Sequence, residues 1–422
     1  MTLVDEKKNK LEILVKSCRL IQRMNRARPD VMKSEVLYYQ LLTNYFTNIL
    51  NARNEGKPMA LYTVFVPAEI FYAMDVVPMH AETTSWMIAA FAGDIGTLLS
   101  KAAELGLATE ICSAHRGLAG AYALEVMPRP DAVVWSSLTC DNTAKSGELL
   151  IEMNHCKGFF IDHPFKETKE ELDYLAGELK ELVAFLEDLT GRKMDWDRLS
   201  QQVARTNRQI ELYREIHNLR KAVPSPFPMH RFMEFIMSMY LMPGHPDALV
   251  YLETLRDELA VMVKEGKGAV SPERFRLMSL WVPPVFLMGM LGEVSKEFGV
   301  VSVVEPLFNL WRGGQLDPSK PLESLARKSF MFPELASYGP LDERILKRTG
   351  ECARDYKVDG AIFYAHVGCR QGSALVKTYK DLLAEVDIPM LTVDFDLLDQ
   401  TVTPPEQIRG KMRDFFELLE DR

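Results

Sequence analysis

Six cysteines occur in the 422 residues, and three of them stand where they could do chemistry. Cys112 lies in EICSAHRG, Cys140 closes VVWSSLTCDN, and Cys369 sits in FYAHVGCRQG. Each marks a point where the chain turns out of a predicted strand or enters a predicted helix. Three thiolates brought together by a fold can hold an iron–sulfur cluster and leave one iron open. Redox chemistry on a substrate would occur at that iron. Zinc competes for the same ligands, with His115 or His366 as a fourth. Structural zinc sites usually bring short-spaced ligand pairs, and no CxxC pair occurs here. From spacing alone both readings stand. Cys18 and Cys352 fall on predicted helices and read as buried small apolar residues. Cys156, beside His155 and before a strand, forms only an isolated His–Cys pair.

These residues need elements to position them. Residues 5–55 read as helix, with apolar positions at helical spacing until Gly56-Lys57-Pro58 breaks the pattern. From there strand and helix alternate. MALYTVFV, VVPMH, DAVVWSSL and GFFIDHPF read as strands. Helices are expected from Ala68 to Met74 and over GDIGTLLSKAAEL, NTAKSGELLIEM and ETKEELDYLAGELKELVAFLEDL, the last with Thr168 as its N-cap. Residues 194–270 read as mostly helical. The last third repeats the first in outline. Its strands are RLMSLWVPP, GVVSVVEP, DGAIFYAHVGC and PMLTVDF, with helices over VFLMGMLGEVSKEF, 321–331, 341–356, QGSALVKTYKDLLAEV and the C-terminal PPEQIRGKMRDFFELLEDR. Val66-Pro67 parallels Val282-Pro283, and DAVVWSSLTC parallels DGAIFYAHVGC.

The expected architecture is α/β: two pseudo-repeated domains, each with a small parallel sheet of about four strands, plus helical N-terminal and middle segments. The boundaries fall at 1–55 (helical), 56–193 (first α/β domain, with Cys112 and Cys140), 194–270 (helical) and 271–422 (second α/β domain, with Cys369). Ligands of open parallel sheets collect beyond the carboxyl ends of the strands, where Cys140 and Cys369 fall. Cys112 is expected in a loop before the third strand. Domains facing each other would bring the three thiols into one cleft.

The bulk properties narrow the function class. A 47% hydrophobic and 26% charged composition is that of a globular chain able to bury a core. A net charge of −9 argues against nucleic acid as a partner. No apolar run spans a membrane, and the N-terminus lacks the apolar stretch of a signal peptide, so a cytoplasmic protein is expected. A reducing compartment excludes a disulfide framework. No GxxxxGK[ST] run occurs, so the chain is not expected to hydrolyse ATP itself.

Taken in order, YTVFVPAEIFYAMDVVPMHAE, EICSAHRG, PDAVVWSSLTCDN, SPFPM, DGAIFYAHVGCR and IPMLTVDFDLLDQ…PEQIRGKMRDFFE resemble the 2-hydroxyacyl-CoA dehydratase family, which includes the cluster-bearing subunits of ATP-dependent benzoyl-CoA reductase. The resemblance covers most of the chain. It implies two Rossmann-like domains and a [4Fe-4S] cluster held by Cys112, Cys140 and Cys369. It implies an acyl-CoA substrate, a homologous second subunit, and a separate ATP-hydrolysing iron–sulfur activator that injects one electron at low potential. The implied reaction starts from a 2-hydroxyacyl thioester whose β-proton is not acidic. One added electron makes the carbonyl a ketyl radical anion, which expels the neighbouring hydroxyl and acidifies the β-hydrogen. In a reductase the electron would enter an aromatic ring. An electron-relay subunit feeding a partner's active site is a further alternative.

The resemblance also singles out Glu82 and Thr63, and further residues stand out by their own places in the chain. Glu82 matches a substrate-side glutamate and is a candidate acid–base group; otherwise it is a solvated carboxylate at a helix start. Thr63, in the first strand, matches a hydroxyl near the cluster, or is simply a β-branched strand residue. His366 is a candidate donor to a cluster sulfur. His115 and Arg116 are candidates for holding a CoA phosphate or the substrate carbonyl, or for a structural ion pair. Glu69, Asp141 and Asn142 are expected to cap helices. The C-terminal helix, with Arg409, Lys411 and Arg413, departs from the family's usual placing of a second arginine.

Overall fold

The computed structural model describes residues 9–93, 95–138, 140–307, 309, 315–331 and 343–422. The first residues of the N-terminal segment, Asp94, Thr139 and the start of the helix expected over 341–356 lie outside the described residues. The chain forms two compact units. One comprises Met1–Ile210, Met237–Thr254 and Gly313–Met331; the other comprises Glu211–Ile236, Leu255–Arg312 and Phe332–Arg422.

The first unit holds strands β1 (Met59–Tyr62), β2 (Val77–His80), β3 (Ala132–Ser136) and β4 (Lys157–Ile161) in the order β2-β1-β3-β4, all parallel. The second holds β5 (Phe275–Leu280), β6 (Val300–Val304), β7 (Gly360–His366) and β8 (Met390–Phe395) in the order β6-β5-β7-β8, also all parallel. The expected α/β class with two small parallel sheets is what forms. β1, β3, β6 and β7 are buried along their length, as continuous apolar runs covered on both faces must be, while edge strands β4 and β8 are partly exposed.

The repeat extends to individual atoms. Asp131, before β3, accepts the Met59 amide through Oδ2 at 2.8 Å, and Asp359, before β7, accepts the Arg276 amide through Oδ2 at 2.8 Å. Each aspartate thereby fixes the register between the third strand and the first. At the carboxyl end of each first strand an aromatic residue takes a left-handed backbone: Phe65 at φ 70° and Trp281 at φ 67°. Each is followed by Val-Pro. Such a conformation costs about 1–3 kcal/mol for a bulky residue. It ends β1 at Tyr62 and β5 at Leu280, short of the runs MALYTVFV and RLMSLWVPP. Thr63 therefore lies just beyond its strand rather than inside it, although its amide still bonds the Val134 carbonyl at 3.2 Å.

Helices α1 (Lys10–Arg26) and α2 (Lys33–Asn51) replace the single helical segment expected over 5–55. Pro29 falls in the break, where its ring cannot continue α1. After β1 come α3 (Ala68–Ala73), α4 (Ala81–Phe91), α5 (Ile95–Glu104) and α6 (Ser113–Ala123). The expected helices do not include α6, and of α4 only a helix start at Glu82 is anticipated. The first ten residues of α6 are all buried, so no amphipathic period marks it. Helices α7 (Asp141–Asn154), α8 (Lys169–Thr190), α9 (Trp196–Leu219), α10 (Phe232–Leu241), α11 (Pro246–Lys264), α12 (Met288–Phe298), α13 (Pro321–Phe330) and α14 (Glu343–Asp355) follow. The helix expected over 371–386 divides into α15 (Arg370–Ala374) and α16 (Val376–Ala384), and α17 (Pro405–Glu420) closes the chain. Thr168 caps α8 as expected, its hydroxyl accepting from the Glu171 amide at 3.2 Å. Arg409 on α17 pairs with Glu293 and Glu297 on α12 at 3.2 and 2.8 Å. Among the described residues no helix is long and apolar enough to cross a membrane.

Glu69 corrects a capping expectation. It lies in the first turn of α3, yet its fully buried carboxylate accepts from the Lys328 ammonium at 2.6 Å and the Thr206 hydroxyl at 2.9 Å. It joins three distant segments of the first unit. In the second unit the buried Arg220 guanidinium grips Glu305 with two bonds, of 2.7 and 2.8 Å.

Gly120 sets how closely α6 approaches α5. A Cβ there would stand 1.9 Å from the Leu98 carbonyl oxygen. Gly120→Ala is expected to lower stability by about 1–3 kcal/mol, because the backbone opposite cannot give way as a side chain would. Urea denaturation would read this as a lower midpoint; an unchanged midpoint would contradict the crossing.

Candidate functional site

Each of the three singled-out cysteines occupies a helix N-cap position. Cys112 precedes α6, Cys140 precedes α7, and Cys369 precedes α15. Backbone N–H groups gather at such a point and favour anionic sulfur. The Gly372 amide donates to Cys369 Sγ at 3.4 Å, and Asn142 Nδ2 donates to Cys140 Sγ at 3.6 Å. Asp141 and Asn142 thus lie inside the first turn of α7, with Cys140 rather than either of them as the cap. Cys112 lies at the start of a helix, not in a loop.

The remaining cysteines are of a different kind. Burial pushes the Cys18 thiol up to about 12 and Cys156 up to about 11, and it raises Cys352 as well. Thiols so raised stay protonated near neutrality and make poor metal ligands. His155 ends α7 in a left-handed conformation, so its pairing with Cys156 is a helix terminus rather than a metal motif.

Cys112 and Cys140 belong to the first unit and Cys369 to the second. Among the described residues, no three His, Cys, Asp or Glu side chains are gathered closely enough to hold a metal ion. The donor chemistry of the three cysteines nonetheless fits an iron–sulfur group. All three are thiols in helix-start positions, and Cys140 and Cys369 have N–H donors aimed at sulfur, which is what thiolate and sulfide charge require.

Around Cys140 the first unit builds a short relay. His115 Nε2 lies 4.0 Å from Cys140 Sγ, and His115 Nδ1 lies 2.8 Å from Ser146 Oγ. Ser146 also donates to the Thr143 carbonyl at 3.2 Å. Ser146 Oγ thus links His115 Nδ1 to the Thr143 carbonyl, and Nε2 faces the sulfur. Sequence reasoning misses Ser146; only its place on α7, one turn and a half beyond Cys140, could signal it. Arg116 is buried and donates through Nε to the Ile111 carbonyl at 2.8 Å, which fastens the Cys112 turn. In the second unit His366 is buried at the end of β7. Its Nδ1 accepts from the Leu397 amide at 3.1 Å, so the ring proton resides on Nε2.

Glu82 opens α4 just beyond the carboxyl end of β2. Burial pushes its carboxyl up to about 7, and the nearby amides of Glu82 and Val64 draw it back only in part. Among the described residues neither carboxylate oxygen, both of them buried, has a hydrogen bond of standard geometry. The reading of Glu82 as a solvated helix-start carboxylate is thereby excluded. The Val64 amide belongs to the turn that carries Thr63, so β1 and α4 bring Glu82 beside that turn. The Thr63 hydroxyl is buried and makes no hydrogen bond among the described residues. His80 is a functional candidate that sequence reasoning misses. Its Nδ1 lies 3.5 Å from Glu82 Oε2 and accepts from the Thr83 amide at 3.3 Å. Burial lowers its pKa to about 3, so its ring is neutral. Its Nε2 has no hydrogen-bond partner among the described residues. Buried polar groups are ordinarily satisfied. Beside Glu82, two buried polar atoms without a hydrogen-bond partner among the described residues, Thr63 Oγ1 and His80 Nε2, lie at the carboxyl end of one parallel sheet, where a ligand would satisfy them.

Residues 63–419 match the family model described as 2-hydroxyglutaryl-CoA dehydratase, D-component. The chain belongs to this 2-hydroxyglutaryl-CoA dehydratase D-component family. Its relatives include the (R)-2-hydroxyisocaproyl-CoA dehydratase alpha subunit of Clostridioides difficile, 22% identical over 92% of this chain and 97% of the relative. A benzoyl-CoA reductase subunit of Thauera aromatica is likewise 22% identical, over 94% of this chain and 97% of its own. The (R)-2-hydroxyglutaryl-CoA dehydratase alpha subunit of Acidaminococcus fermentans is 23% identical over 71% of this chain and 62% of its own. The dehydratase family match begins at Thr63 and takes in Glu82 and all three cysteines.

Proposed function

We propose that this chain is the cluster-bearing subunit of a 2-hydroxyacyl-CoA dehydratase. Cys112, Cys140 and Cys369 would hold a [4Fe-4S] cluster. The observation that carries the reading is Glu82: a buried carboxyl, held near neutrality in its pKa, beside the unpartnered Thr63 hydroxyl at a strand's carboxyl end. Such a group can take a weakly acidic carbon-bound proton near pH 7. When bound, the cluster would supply one-electron transfer and an iron that acts as a Lewis acid toward a substrate oxygen.

The rest falls to the chain's own side chains. Glu82 accepts the β-proton once the hydroxyl has left. Thr63 donates to a substrate oxygen, and His80 offers its Nε2–H from the same wall. The carboxyl-terminal turns of the first sheet exclude water from these groups. Relatives named as alpha subunits support a second subunit as partner, and the proposal takes it to be homologous to this chain. A separate ATP-hydrolysing iron–sulfur activator completes the proposal, and the cytoplasm is its proposed compartment.

Anaerobic purification followed by iron, sulfide and zinc analysis tests the reading. About four irons and four sulfides per chain with a brown spectrum, and loss of water from a 2-hydroxyacyl-CoA when activator is added, are expected. A colourless protein with stoichiometric zinc, or with no metal after anaerobic reconstitution, would overturn it. The equal likeness to the benzoyl-CoA reductase relative supports a second reading, in which the electron enters an aromatic acyl-CoA. Consumption of benzoyl-CoA without turnover of any hydroxyacyl thioester would favour that reading.

A further inference from the structure

We propose that the groove between α1 and α2 binds the phosphorylated adenine-nucleotide end of coenzyme A. The inference rests on the acyl-CoA reading above. The groove encloses about 520 Å³ and is lined by ten residues: three arginines, seven neutral polar side chains and no carboxylate. In a protein of net charge −9 such a composition is not a sample of the bulk surface. Arg19, Arg23 and Arg26 stand four and three residues apart on α1, hence on one face. Their seven-residue span covers about 10 Å of helix axis.

Elsewhere on this surface exposed cations commonly find an acid, as Arg28 does with Asp30 at 2.7 Å. Among the described residues the three groove arginines do not. Arg19 reaches the Thr47 hydroxyl at 3.4 Å, and Arg26 reaches Gln40 Oε1 at 3.5 Å. The neighbouring carboxylates are held by other groups. Asn25 donates to Glu35 at 3.1 Å, and Asn44 donates to Asp247 at 3.0 Å. The groove floor is fixed by Gln22, which donates to Gln40 Oε1 at 2.6 Å, while Gln40 donates to Asn44 at 2.8 Å. Forked guanidiniums suit phosphate, and carboxamides supply both donors and acceptors for a base edge or ribose. An open groove of this size has room for a nucleotide.

The position favours coenzyme A over a free nucleotide. Helix α2 bears the groove on one face. From its buried face Tyr45 Oη accepts the His80 amide at 3.0 Å. The groove is therefore about one helix diameter, roughly 10 Å, from the wall that carries His80 and Glu82. The pantetheine arm can bridge that distance between nucleotide and thioester.

Titration calorimetry on the anaerobically purified full-length chain tests this with CoA, dephospho-CoA, 3′,5′-ADP, ATP and inorganic phosphate. CoA and 3′,5′-ADP are expected to bind, with dephospho-CoA weaker. Arg19→Ala and Arg23→Ala are each expected to weaken binding about tenfold, the cost of one charge-assisted contact. In turnover assays these variants should raise KM for the acyl-CoA and leave kcat and iron content unchanged. ATP binding as tightly as CoA, or CoA binding untouched by the substitutions, overturns the proposal. So does nucleotide binding left intact while assembly with the second subunit is lost, which would assign the arginines to a protein interface. Failure of the dehydratase reading shows separately, as absent iron and absent turnover with CoA still bound.

Discussion

Cys140→Ser, purified without oxygen, is expected to be colourless and inactive while keeping its fold. Serine is nearly isosteric, and the α7 N-cap position favours it. The Asn142 donor and the His115 ring would find an oxygen in place of sulfur. What is lost is a soft, readily ionised ligand, so the substitution separates ligation from stability. Iron and sulfide should fall from about four each to near zero, and turnover by more than a thousandfold. Circular dichroism and the denaturation midpoint should stay close to wild type. Cys18→Ser supplies the control. It alters a thiol that burial keeps protonated, so its iron content should be unchanged although its buried hydroxyl costs stability. Full iron in Cys140→Ser would remove Cys140 from the ligand set, and equal iron loss in Cys18→Ser would remove the distinction between the two kinds of cysteine.

The sequence made the strands legible where burial on both faces writes continuous apolar runs, as in DAVVWSSL and DGAIFYAHVGC. The pairing of DAVVWSSLTC with DGAIFYAHVGC proved physical, because the leading aspartate of each bonds the amide of its first strand. The parallel at Val-Pro was likewise real. Its meaning was hidden, since the left-handed backbone belongs to the preceding Phe65 and Trp281, types that rarely adopt it. Helix α6 escaped because burial on all sides erases the 3.6-residue period, and α4 escaped because most of its buried residues are Ala, Thr and Ser, so no apolar stripe marks its buried face. Glu82 could be singled out by type and by resemblance, but not its desolvation. That follows from the first turn of α4 lying against the Val64 turn that follows β1, a tertiary fact. His80 escaped for the same reason. As the last residue of VVPMH it reads as a strand terminus, and only the fold brings it against Glu82.

Glu82→Gln is expected to cut turnover by about 10²–10⁴-fold while raising stability at alkaline pH. The first effect follows from removing a base that the surroundings hold near neutrality. The second follows from linkage. The folded carboxyl titrates at about 7, against an ordinary value of 4.5. Below pH 4.5 it is protonated in both states and contributes no difference. Between 4.5 and 7 the unfolded chain loses the proton that the folded chain keeps, so stability falls as pH rises. Above 7 the penalty is complete, about 3 kcal/mol for a shift of this size. Glutamine is neutral throughout and lifts that limb of the profile alone. His80 sets the opposite limb. Its folded pKa of about 3 lies below the ordinary 6.5, so stability falls as pH drops from 6.5 toward 3 in wild type and variant alike. The wild-type rate should rise through pH 7 as Glu82 ionises, and the residual Glu82→Gln rate should lose that rise. A variant that is slower but no more stable at pH 9 would mean that Glu82 is solvated. A variant that is more stable with unchanged kcat would keep the burial and take the base away from Glu82.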